Sequence, residues 1–136
     1  MRKTMLAAAL VLGATAGAGA QDAVPDFLGT WSGTFDVALM GRSAEASPEA
    51  EQATITYEIT RQEGRLLWGV VSSDKTSGKR PLVLAFSFNN GTLVGSDTEG
   101  FHRVTIISPT RMESCFTDNG SGSIMGTCGI LERAQP

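Results

Sequence analysis

From Gly29 to Arg133 the chain carries no helical stripe. Short β-rich runs instead alternate with turn residues at near-even spacing, and that spacing restricts the fold more than any other feature. The first run, 29–40, sets the pattern. Trp31, Phe35, Val37 and Leu39 share one face with Gly29 and Gly33, while Thr30, Ser32, Thr34 and Asp36 take the other. Further runs are expected at 53–62 (Ile55, Tyr57 and Ile59 on one face), 65–73 (Leu66, Trp68, Val70), 81–89 (Leu82, Leu84, Phe86, Phe88), 92–97, 101–107, 110–117 and 124–133. Most connections are short: Glu63-Gly64, 74–80, the hairpin signal Asn90-Gly91, Thr98-Glu99-Gly100, Ser108-Pro109 and 118–123. Only 41–52, GRSAEASPEAEQ, lacks strand character, and it reads as one long exposed loop. Eight consecutive strands form a meander, and closure removes a meander's two raw edges. The expected fold is all-β, an eight-stranded antiparallel up-and-down barrel.

The two cysteines test this register. A hairpin centred on 121–122 places Cys115 opposite Cys128, Met112 opposite Leu131 and Phe116 opposite Thr127, keeping one face of the pair largely apolar. A disulfide here would stabilise by roughly 3 kcal/mol through the closed loop. The other use of paired cysteines, metal ligation, would need partners, and the chain has a single histidine, His102. No metal and no cofactor are expected.

The N-terminus supplies the compartment. MRKTMLAAALVLGATAGAGA has a basic start, a short apolar run and a small-residue exit, and Ala18-Gly19-Ala20 fits an A-x-A cleavage site before Gln21. Residues 1–20 are expected to be a cleaved signal peptide and 21–136 a single exported domain, periplasmic or secreted from a bacterium. Losing Arg2 and Lys3 with the signal takes the net charge from −3 to −5. An acidic chain without a basic stripe does not suit nucleic acid or anionic membrane surfaces, and no run is long and apolar enough to insert in a bilayer. The one basic cluster, Lys75, Lys79 and Arg80, reads as a solvated turn.

A tryptophan between two glycines, in LGTWSGTF, needs a reason so near the mature N-terminus. In a closed barrel the first strand pairs with the last, and Trp31 can plug the crowded end while Gly29 and Gly33 relieve the packing. Arg133 in the final run can lay its planar guanidinium across the indole. Gly29-Thr30-Trp31 together with Arg133 resembles the G-x-W plus arginine arrangement of the calycins, the group of lipocalins, fatty-acid-binding proteins, avidins and small bacterial protease inhibitors. The likeness covers the two ends of the chain. The T-D-Y motif of lipocalins is missing, and so is the avidin set of tryptophans, because Trp31 and Trp68 are the only two. The resemblance implies a fold, which does not carry a function.

No catalytic constellation emerges. His102 beside Arg103 lacks a G-x-S-x-G elbow, although serines and Asp97 are present, and it reads as an exposed or half-buried strand residue. Nothing in the spacing selects Glu58 and Glu113 as a glycosidase pair. Phe35, Tyr57, Trp68, Phe86, Phe88, Phe101, Met112 and Phe116 are expected to fill the barrel. Tyr57, Trp68 and Arg103, each with an apolar body and a polar handle, are the candidate ligand contacts. The expected function is non-enzymatic binding of a small apolar or amphipathic molecule in the open mouth. The competing reading is a periplasmic protein-interaction module, such as an enzyme inhibitor, that reaches out with 21–27 or the 41–52 loop. Outward-facing Leu67, Val71 and Val83 would leave room for a dimer.

Overall fold

The computed structural model describes residues 23–118, 120 and 122–135. The expected signal peptide and its cleavage site lie outside the described residues. Eight antiparallel strands follow one another around a closed barrel: β1 (Gly29–Gly41), β2 (Pro48–Glu63), β3 (Leu66–Ser73), β4 (Arg80–Phe86), β5 (Thr92–Ser96), β6 (Gly100–Ser108), β7 (Arg111–Asp118) and β8 (Ser123–Arg133). Each strand pairs with its neighbour in sequence, and β1 closes the ring on β8, with Trp31 opposite Arg133 and Phe35 opposite Gly129. No helix among these residues is long and apolar enough to cross a membrane.

The C-terminal hairpin has the expected register: Met112 faces Leu131, Phe116 faces Thr127, and Cys115 and Cys128 are joined in a disulfide. Trp31 closes one end of the barrel, wholly buried, with the Arg133 guanidinium 5.4 Å from its ring centroid. Gly33 serves the close approach anticipated for it, since a Cβ there would meet the carbonyl oxygen of Ile130 at 1.7 Å. Gly29 acts differently. Its φ of 116° is a backbone conformation that side chains disfavour, while the space beside it is open to 3.7 Å.

Four expectations need correction. The segment 41–52 is not one long loop. β1 runs to Gly41 and β2 begins at Pro48, so the β1–β2 hairpin is held by backbone pairs such as Leu39 with Glu49, above the level where side chains are buried. β3 has the opposite facing. Leu67 and Val71 are buried inside, so they cannot offer a dimer face, whereas Leu66 and Trp68 lie on the outer wall. The cause is an irregularity after Ile59: Gly69 pairs with Ile59 but Trp68 pairs with Arg61, so Thr60 is skipped and the facing shifts by one. β4 ends at Phe86, leaving Phe88 94% exposed in the following turn, and Phe101 faces out of β6. The segment leading into β1 is not a free arm. Phe27 is buried, stacked on Trp31 at 4.8 Å and set edge-on to Phe86 at 5.4 Å. The Trp31 indole N–H donates to the Phe27 carbonyl at 3.1 Å, and the Gln62 amide bonds both Phe27 N and the Pro25 carbonyl.

The core therefore fills one half of the barrel. Phe27, Trp31, Leu67, Leu82, Phe86, Leu93, Val104, Met112 and Leu131 pack as one cluster toward the closed end. Each buried side chain of this size stabilises by about 1.5–3 kcal/mol.

Candidate functional site

Above that apolar plug lies a layer of buried polar side chains. Alternation along β6 turns Phe101 and Arg103 outward, and therefore turns His102 inward beside Val104. The same parity in β7 sends Ser114 inward between Met112 and Phe116. Tyr57 reaches them from β2. Its hydroxyl lies 2.6 Å from His102 Nδ1 and 2.7 Å from Ser114 Oγ, and all three residues are buried. Phe116 leans against the imidazole at 4.6 Å. On its other side, His102 Nε2 approaches Asp97 Oδ2 at 3.2 Å, too obliquely for an aligned hydrogen bond.

Asp97 is the anchor of this layer. Its side chain has no exposed surface, and Oδ1 accepts the backbone N–H groups of Glu99 at 2.7 Å and Gly100 at 3.0 Å. Burial alone would raise its pKa. His102 and the two backbone donors outweigh burial and hold the carboxyl well below the usual carboxylate range. Asp97 Oδ2 also accepts from Arg80 Nε at 3.1 Å, and the same Nε lies 3.3 Å from Glu99 Oε2. For Tyr57, burial drives the phenol pKa well above its ordinary value; the Ser114 hydrogen bond acts against this and the Asp97 charge adds to it.

The proton count shows what this layer can do. Ionised Asp97 is acceptor-only, so a neutral His102 turns Nε2–H toward it and accepts a hydrogen bond from the Tyr57 hydroxyl at Nδ1. Tyr57 then accepts from Ser114. If His102 is charged, Nδ1–H donates to Tyr57, which donates to Ser114. In both arrangements the single Tyr57 proton is used inside the layer. The phenol is a sealed structural link.

This layer is the floor of a cavity. It opens at the end opposite Trp31, has a volume of about 220 Å³, and is walled by apolar residues including Val37, Leu39, Ala53, Ile55, Phe116 and Met125. Lys75, Thr76 and Arg80 from one mouth turn and strand, Glu99 from another turn, and Glu51 of β2 stand at its rim. A larger hollow of about 650 Å³, lined by Asp36, Ala38, Gln52, Gly126 and Cys128 among others, lies on the outer wall where β1 runs between β2 and β8. It is a broad surface depression and lacks the enclosing walls and converging buried polar groups of a binding site.

Of the three candidate ligand contacts, only Tyr57 points inward, where it lines the cavity as part of its floor. Trp68 lies on the outer wall with the Arg61 guanidinium 4.9 Å from its ring centroid, and Arg103 is exposed on the outside of β6. His102, read as exposed or half-buried, is buried at the centre of the layer. The signal that could have placed it is the shared parity of His102, Val104 and Ile106. Ser114 shares the inward parity of Met112 and Phe116. Arg80 carried no such signal, because its role depends on a partner distant in sequence.

No protein-family profile and no curated protein matches the chain. Solved structures do resemble it. EF1p2_mFAP2b bound to DFHBI matches with a TM-score of 0.50 at 14% identity, over 82% of this chain and 94% of that one. The redesigned β-barrel b11L5F_LGL has a TM-score of 0.46 at 15% identity, covering 82% and 92% of the two chains. The S-type phycobiliprotein lyase CPES from Guillardia theta has a TM-score of 0.47 at 13% identity, covering 80% and 89%. The chain shares the fold of a small eight-stranded β-barrel.

Proposed function

We propose that this chain is an exported, non-enzymatic β-barrel that binds one small apolar or amphipathic molecule in its open mouth. The observation that carries the reading is the half-filled interior: a packed plug below, a sealed polar floor in the middle, and an apolar cup of about 220 Å³ above. An apolar cavity of roughly 150 Å³ holds benzene, and drug-sized molecules take about 300 Å³ or more, so the cup suits a ring-sized ligand or a short chain. EF1p2_mFAP2b, a barrel of similar fold, was solved with a molecule bound. A binding role without chemistry is supported by Tyr57 and Ser114, which are satisfied by one another and by His102 within the floor. Export is supported by the leader-like residues 1–20 and by the formed disulfide, which suits an oxidising compartment. The inhibitor reading has less support, because residues 24–27 are docked under the barrel and half of 41–52 is strand, leaving only the turn at 42–47.

The test is saturable binding of an environment-sensitive apolar fluorophore by wild type and by Ile55→Trp, which fills the cup from its wall. One site in the wild type, lost in a variant with unchanged thermal midpoint, supports the proposal. Equal binding by both proteins refutes it.

A further inference from the structure

Building on that reading, we propose that the rim of the cup selects small neutral molecules carrying one hydrogen-bond-accepting oxygen, which Arg80 holds. Arg80 lines the cavity with its side chain only 17% exposed. Its guanidinium is fixed by Nε against Asp97 and Glu99, with Nη1 3.4 Å from Thr76 Oγ1. Among the described residues Nη2 makes no hydrogen bond. Arginine has five donors in a rigid fork, and here the fork is held in place before any ligand arrives. A ligand oxygen that takes an Nη2 donor orders nothing new, which is the condition for a polar contact to add affinity.

The surrounding charges decide the kind of oxygen. The lining carries two cations, Lys75 and Arg80, and two carboxylates, Glu51 and Glu99. Asp97 stands directly behind Arg80 and tips the local balance to negative. A carboxylate ligand at Nη2 would sit in the field of two carboxylates already touching the same guanidinium. An ammonium ligand would face Arg80 itself. A ketone, ester, lactone or amide oxygen meets neither repulsion, and its apolar body fits the wall of Leu39, Ile55, Phe116 and Met125.

Four probes of nearly equal size separate the cases: acetophenone, ethylbenzene, benzoate and benzylamine, titrated calorimetrically at neutral pH. Acetophenone should bind about tenfold more tightly than ethylbenzene, the effect of one hydrogen bond from a charged donor. Benzoate and benzylamine should bind no better than ethylbenzene. Arg80→Lys keeps the charge between the carboxylates but removes the planar edge, so acetophenone should fall to the level of ethylbenzene while ethylbenzene is unchanged. Glu99→Gln, at a half-exposed position, provides a second variant with little risk to folding. Removing one rim charge should narrow the gap between benzoate and acetophenone about threefold. Equal binding of acetophenone and ethylbenzene, tightest binding by benzoate or benzylamine, or a gap unmoved by Glu99→Gln overturns the selection by Arg80 and leaves the cavity reading standing. Absence of binding by all four probes to folded protein overturns both.

Discussion

Replacing Phe27 by alanine tests whether the segment before β1 is part of the barrel. The ring is 1% exposed, stacked on Trp31 and edge-on to Phe86, and it belongs to no strand. Its removal therefore breaks no ladder hydrogen bond. A buried Phe→Ala change costs about 3–5 kcal/mol when the surroundings hold their shape. Here the segment can also detach. It would then regain roughly 1 kcal/mol of backbone freedom for each residue released, which limits the loss. The expected destabilisation is about 2–4 kcal/mol, a large share of the 5–15 kcal/mol typical of a folded domain. With an m-value of about 2 kcal/mol/M, the urea midpoint should fall by 1–2 M. Trp31 fluorescence follows the transition and should already be altered in the folded variant, because the stacked ring over the indole is gone. A midpoint shift below about 0.3 M would refute the reasoning and restore 23–27 as a free arm.

Three further outcomes follow from the same contacts. Arg133→Ala removes the cation over the indole together with donors to the Leu28 carbonyl and Asp26, and should cost about 1–2 kcal/mol in urea unfolding, with lysine recovering little of it because the planar stacking is lost; an unchanged midpoint would count against the lid. The Cys115→Ala, Cys128→Ala double variant should remain folded and lose about 3 kcal/mol, read from the same titration. Asp97 has a folded-state pKa below its unfolded one, so its contribution is complete above the unfolded carboxylate value near 4 and fades as the pH falls below it. The thermal midpoint of Asp97→Asn should accordingly lie below wild type at pH 7, with the gap closing below about pH 4; a gap constant down to pH 3 would remove Asp97 from the account.

Period-two alternation made the barrel legible because most strands bury one parity only. β1 as far as Leu39 and β7 put their large apolar side chains at alternate positions, and the disulfide then fixed the register of β7 on β8. β3 failed because both of its parities are apolar: Leu66, Trp68 and Val70 compete with Leu67 and Val71, and a skipped residue in a neighbouring strand decides between them. Phe88 failed because a strand end is set by where the pairing stops, and Ser87 already bonds across to Thr92. The extended β1–β2 hairpin was hidden by composition, since Pro48–Gln52 have no buried face and are held by backbone pairing and by the Gln52 amide donating to Asp36. Half of the site was visible in principle, as Tyr57 and His102 sit on inward parities. Arg80 was not, because a lysine- and arginine-containing turn looks solvated until Asp97 is folded against it.

A buried polar layer across the middle of a small barrel needs a physical reason, because apolar packing of the same volume is often at least as stable. The closed end shows that this chain can fill its interior with leucine, phenylalanine and tryptophan. At the level of Tyr57 it does not, and the change coincides with the start of the cup. The layer joins β2, β6, β7 and the Asp97 turn through contacts of fixed geometry, whereas apolar side chains at the same height could slide upward into the space above them. Fixed polar geometry keeps the floor level and the cup empty. The same Asp97 that ends the layer also orients Arg80 at the rim. Tyr57→Phe separates the two duties: His102 Nδ1 and Ser114 Oγ lose their common partner, at a cost of about 1–3 kcal/mol, while the Asp97–Arg80 contact is left intact. If the floor is held by this layer, the variant should bind the apolar fluorophore more weakly and heterogeneously, yet keep its preference for acetophenone over ethylbenzene. Loss of that preference with binding otherwise unchanged would mean that the layer recognises the ligand directly, and the division between floor and rim would be wrong.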